Sequence, residues 1–148
     1  MMNNYRTFAL LFTLCLSATL YGQTGLERMA VYDVFGGRVA DTRILSETYV
    51  TNDELAKYHL SVFRSVQCSS TAKGLAQVER LLAQDAHGAT EKEVQRDNRT
   101  IRFALFRYAQ KGANNHYIIY QRRSQTDFLC VYLEGTATIQ QLKKTFSK

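Results

Sequence analysis

The chain has 148 residues, 45% apolar and 22% charged, with no proline and no tryptophan. That balance is ordinary for a globular protein and excludes a largely disordered chain. The formal charge of +6 is uneven: residues 24–98 carry nine basic and eleven acidic side chains, and residues 99–148 carry nine basic and two acidic. Such asymmetry marks either an anionic partner or a solvated basic face, and the second is the simpler reading.

Residues 1–23, MMNNYRTFALLFTLCLSATLYGQ, place one positive charge, Arg6, before an apolar run from Phe8 to Leu20. This is the layout of a secretory signal peptide, with cleavage expected near Gly22 or Gln23. The run is about 13 residues, too short to span a hydrocarbon core of roughly 30 Å. Leu14 precedes Cys15 where a lipoprotein would carry a small residue, so a cleaved, soluble exported chain is favoured over a lipid-anchored one. No later apolar stretch is long enough to be a transmembrane span. The expected organisation is a signal peptide over 1–23 and a single α+β domain over 24–148. The mature chain is expected in the periplasm, at the cell surface or outside the cell.

TGLERMAVYDVF, from Thr24, reads as a short helix or irregular arm that Gly36-Gly37 can cap. TRILSETYV, Thr42 to Val50, is rich in β-branched residues and predicts a strand. In TNDELAKY, Thr51 with Glu54 forms a capping box, which predicts a short helix ending near Tyr58. LSVFRSVQC is the second strand. SSTAKGLAQVERLLAQDAHG is the clearest helix, with Leu75, Val78 and Leu82 on one face and Gly88 as a stop. Four more strands follow, over about 91–96, 100–109, 115–123 and 128–134, separated by Asp97-Asn98, Lys111-Gly112 and Thr126-Asp127. Their short connections predict an antiparallel meander. A last helix opens at Thr138, with Gln141 completing a second capping box and Ile139, Leu142 and Phe146 as its buried stripe. The fold class is α+β: a mainly antiparallel sheet, with a C-terminal four-strand meander and helices packed on one face.

Two cysteines remain after processing. In FLCVYLEG, Cys130 lies opposite Leu129, Val131 and Leu133, whereas Cys68 shares its face with Val62 and Val66. If one apolar face of each strand meets the core, the thiols point apart, so free thiols are favoured over a disulfide.

Chemistry-bearing motifs are sparse. His59, His87 and His116 lie in separate elements without metal-ligand spacing, and there is no Cys-x-x-Cys and no Gly-x-Ser-x-Gly. Asp53-Glu54 suits a helix N-terminus, where negative charge is favourable. No cofactor and no metal is expected, and catalysis is not the favoured reading. RFALFRYAQKGANNHYIIYQRR, from Arg102 to Arg123, mixes aromatic and basic residues. Read with period two it is a hairpin, with Ile101, Phe103 and Leu105 as the core side and the mixture explained by one buried and one wet face. HYIIYQRR is apolar on both faces, so its inward side is left open. The split of aromatics between faces argues against an RNA-stacking platform.

Three segments, QTGLERMAVYDVFGG, LAKYHLSVFRSV and VYLEGTATIQQLKKTF, span most of the mature chain. In them the sequence resembles the domain-of-unknown-function family numbered 6108, small exported proteins of Bacteroidota. The resemblance implies export and an α+β domain, and it carries no activity and no functional residues. The favoured function is a noncatalytic binding or interaction module in the cell envelope, taking an envelope protein or an anionic glycan. Its candidate surface is Arg102, Arg107, Tyr108, Tyr120, Arg122 and Arg123; Tyr117 and Tyr132 are rings of the same kind, and cross-strand packing is the simpler reading for each of the four tyrosines. An enzyme with an unmarked site is the alternative, and a nucleic-acid-binding domain ranks third.

Overall fold

The structure, a computed structural model, describes residues 24–51, 53–110 and 114–146. The expected signal peptide and the Lys111-Gly112 turn lie outside the described residues. Helices α1 (Thr24–Glu27) and α2 (Tyr32–Phe35) form an N-terminal arm. Strand β1 (Thr42–Val50), a 3-10 helix (Asp53–Tyr58) and β2 (Leu60–Ser70) follow. Helix α3 (Ala72–Ala86) leads to β3 (Glu91–Asp97), β4 (Thr100–Ala109), β5 (Asn115–Arg122) and β6 (Asp127–Gly135), and α4 (Ile139–Phe146) is the last element among the described residues. The six strands form one antiparallel sheet in the order β1-β2-β6-β5-β4-β3. The meander is β3 to β6, and β2 joins it beside β6.

Local signals account for several boundaries. Thr71 caps α3 by accepting from Gly74 N at 3.2 Å. The Thr138–Gln141 capping box forms in both directions at 2.8 and 3.2 Å. Gly37, at φ +68, adopts the left-handed conformation just past α2, where Arg38 N donates back to Asp33 O. Asn98, also left-handed, sits in the two-residue turn between β3 and β4.

The helices cover both faces of the sheet, not one. One core cluster holds Leu26, Val34 and Phe35 of the arm and Leu75, Val78 and Leu82 of α3 against Phe106, Ile118, Tyr120, Phe128, Cys130 and Tyr132. The other holds Leu55 of the 3-10 helix and Leu142 of α4 against Phe103, Leu105, Tyr117, Ile119, Val131 and Leu133. Central strands are therefore buried on both sides, so the division of Arg102–Arg123 into one buried and one wet face does not hold. The cysteine reading changes for the same reason. Cys68 and Cys130 are free thiols, but they share the first cluster instead of pointing apart.

Bulges decide which cluster a residue joins. Leu60 pairs with Gly135 and Val62 with Glu134, so Ser61 is an extra residue in β2. The bulge sends Leu60 to the second cluster and Val62 to the first. Arg102 is likewise extra in β4, which separates Ile101, in the first cluster, from Phe103 and Leu105, in the second. Leu45 is the extra residue in β1 and is exposed.

Polar contacts add to the apolar packing that holds the arm. Asp85, near the end of α3, accepts from Ala30 N at 2.7 Å and Val31 N at 2.9 Å. Burial pushes its carboxyl above the usual aspartate range, against the lowering effect of those two amides. Gly25 packs onto His116 and Tyr132, leaving no space for a β-carbon.

Candidate ligand-binding cleft

On the second face of the sheet, a cleft of about 560 Å³ opens between the 3-10 helix and α4. Its floor is Val50, Leu60 and Phe63, and its walls are Leu55 and Tyr58 on one side and Leu142 and Thr145 on the other. The lining is mostly hydrocarbon, and the size suits a small-molecule site. Tyr58, 51% exposed, stands at the mouth.

The walls are set by identifiable contacts. His59 has φ 60 and ends the 3-10 helix, its amide donating to Ala56 O at 3.0 Å. Its carbonyl accepts from Ala137 N at 3.0 Å, which joins the turn before β2 to the segment before α4. Gly135 lies against the His59 carbonyl and Leu60 Cα with no space for a side chain. The two walls therefore meet at this end. Tyr117, buried in the sheet, donates its hydroxyl to Ala137 O and fixes the start of α4 from below. Burial raises the Tyr117 phenol, which therefore stays a donor at neutral pH. Further along α4, Lys143 pairs with Glu93 of β3 at 2.6 Å. The Lys143 ammonium holds the Glu93 carboxyl below its ordinary value.

Polar groups in the lining are few: Lys57, His59, Gln141, Lys144 and Thr145, with the Tyr58 hydroxyl. The Lys57 ammonium lies 5.1 Å from the Tyr58 ring centroid. Among the described residues, neither Lys57 nor Lys144 has an ion pair, and no carboxylate lines the cleft. This set can hold a ligand by apolar burial and by positive charge.

The sequence marked His59, Gln141 and Leu142 for other reasons, and none of the lining residues as part of a binding site. They come from two segments, 50–63 and 141–145, which only folding brings together. The capping boxes located the two helices, yet no local pattern says that they face each other.

The six surface candidates separate. Arg102, Arg122 and Arg123 converge at the end of the sheet carrying the β3–β4 and β5–β6 turns, around a hollow of about 350 Å³ with Asp97, Asn98, Thr100, Ser124 and Gln125. Arg102 donates to Gln95 Oε1, and Arg122 donates to the carbonyls of Ser124 and Gln125. Arg107 is elsewhere, bound to Glu91 and Asn115. Tyr108 is half-buried and donates to the Asp85 carbonyl at 2.6 Å. Tyr120 is 1% exposed and packs on Phe128, so it is a core residue and not a contact surface. Tyr117 and Tyr132 are buried as well, because each sheet face has its own helical cover.

His116 is the histidine with a polar network. With its proton on Nε2, it donates to Glu134 at 2.9 Å, and Nδ1 accepts from Tyr132 Oη and Gln110 Nε2, both at 3.1 Å. The group lies beneath Gly25 in the first core, where it gives both ring nitrogens of His116 and the Tyr132 hydroxyl a partner. Neither cysteine takes part. Burial pushes the Cys68 thiol up to about 12 and raises that of Cys130, the reverse of activation. Among the described residues no cluster of three potential metal ligands forms, and no helix is long and apolar enough to cross a membrane.

No curated protein matches the chain. The family profile that does match covers residues 15–146, so the second and third segments singled out in the sequence, and the first, all fall within it. The chain belongs to DUF6108, a family of unknown function.

Proposed function

We propose that the protein is an exported, noncatalytic binding module of the cell envelope and that the cleft between the 3-10 helix and α4 is its ligand site. The cleft itself carries this reading. It is a concavity of about 560 Å³ with an apolar floor and a few polar groups at its rim. The lining is mostly hydrocarbon with two ammonium groups, and it sets no carboxylate or thiol beside His59, which suits holding a ligand better than catalysis. The signal-like leader supports export, and mass spectrometry of protein from the envelope fraction should then give a mature N-terminus at residue 23 or 24, whereas a chain still carrying residues 1–22 would overturn it.

A neutral solvatochromic dye such as Nile red tests the cleft. Saturable enhancement at one dye per chain, lost in Thr145→Trp, is the expected result. Thr145 is exposed on the cleft wall, so the indole fills the cleft without disturbing the core. Unchanged dye binding in a folded Thr145→Trp protein overturns the reading.

The convergence of Arg102, Arg122 and Arg123 favours a second reading, in which that end of the sheet contacts an anionic glycan. Retention on a sulfated polysaccharide column, lost in the triple Gln variant, is its expected mark. Equal retention of the variant removes it.

A further inference from the structure

Resting on the cleft being a ligand site, we propose that the ligand is a single-chain amphiphile with an anionic head, an alkyl carboxylate by chemical class. Its tail lies on Leu55, Leu60, Phe63 and Leu142, and its head sits between Lys57 and Lys144.

Three observations converge on this class. The first is where the positive charge of the C-terminal third goes. Arg107 is neutralised by Glu91 and Lys143 by Glu93, both partners on β3. Lys144, next to Lys143, lines the cleft instead, with no ion pair among the described residues. The second is that the two lysines come from opposite walls, Lys57 from the 3-10 helix and Lys144 from α4. A head group at the mouth meets both ammonium groups, while the lysine stems extend along the apolar rim. With no carboxylate in the lining, a cationic head meets two like charges and no counter-charge there.

The third is shape. The walls are joined at one end by the Ala137–His59 hydrogen bond and the close approach of Gly135 to Leu60. A peptide laid through a groove needs both ends open. A hydrocarbon chain that enters from one side and leaves its head at the mouth does not. The apolar floor supplies burial for the tail, and the ammonium pair selects the head.

The test uses protein as the producing cell processes it, titrated calorimetrically below micellisation with dodecanoate, dodecanol and dodecylammonium. Dodecanoate is expected to bind roughly tenfold more tightly than the other two, from two charge-assisted contacts at an exposed rim. The preference should shrink in about 0.5 M salt and in the Lys57→Gln/Lys144→Gln double variant. Both lysines are on the surface, so the variant is expected to keep the wild-type melting temperature. Equal binding of all three amphiphiles overturns the anionic head and leaves the cleft reading intact. A preference for dodecanoate that survives in the double variant also overturns the head assignment. Absence of binding by any of the three, together with failure of Nile red to bind, overturns both.

Discussion

Asp85 is the polar contact that ties the N-terminal arm to α3, and Asp85→Ala tests it. The substitution removes two carboxylate acceptors, leaving the Ala30 and Val31 amides without partners, and Val31 is fully buried. Hydrogen bonds to a charged acceptor contribute about 1.5–3 kcal/mol each. The raised carboxyl shows that burying the charge offsets part of this at neutral pH. A net loss of about 2–4 kcal/mol remains, from two such bonds less part of the desolvation cost. For a domain of this size that is a melting-temperature drop of roughly 10 °C. Urea unfolding followed by circular dichroism measures it. Exposed Asp33, paired with Arg38 at the surface, is the control, and Asp33→Ala should stay within about 0.5 kcal/mol. The pH dependence has a definite sign. A carboxyl whose folded value is raised contributes stability that is fully present below its unfolded value and is lost as pH rises through the folded one. The gap between wild type and Asp85→Ala should therefore narrow as pH rises through that window. A cost below about 0.5 kcal/mol, or a gap that widens with pH, would refute the argument.

Three further outcomes follow from the same contacts. Gly25→Ala forces a β-carbon into His116 and Tyr132, both buried, and should cost about 1–3 kcal/mol as overpacking, read by thermal melting; a neutral effect would show that the arm is not seated there. Cys68 and Cys130 should resist iodoacetamide at pH 8 in the native state and react promptly in urea, because a thiol near 12 is only about one part in ten thousand thiolate; rapid native labelling followed by mass spectrometry would contradict the burial argument. Tyr117→Phe strips the Ala137 carbonyl of its buried donor and should cost about 1–2 kcal/mol while loosening α4, seen as faster amide exchange in 139–146; unchanged exchange would detach Tyr117 from the cleft wall.

Much of the element order could be read from the chain because caps and turns are local chemistry. Thr138 and Gln141 find each other three residues apart, and Asn98 takes the left-handed turn that its side chain tolerates. Two-sided burial left a fainter trace. FLCVYL in β6 and HYIIY in β5 are apolar at nearly every position, the pattern of a strand covered on both faces. Leaving the inward side of HYIIYQRR open kept Tyr120 among the surface candidates, and allowing each strand one core face separated the thiols. Single-residue bulges are the least legible feature. Ser61 and Arg102 each reverse the alternation on one side of themselves, and neither residue type signals an insertion. The cleft inherits that difficulty, since the Ser61 bulge is what turns Leu60 toward it.

The outer strands of the sheet bear on how the protein behaves at high concentration. An open sheet has two exposed ladders of backbone donors and acceptors, each a template on which another chain can pair. Here one edge is interrupted by the extra Leu45, which breaks the register of β1. The other, β3, reads EKEVQRD and carries charge at five of its seven positions. A second molecule approaching either edge meets an irregular ladder or a dense row of carboxylates and cations. Edge-to-edge growth is thus discouraged at both ends by two different devices.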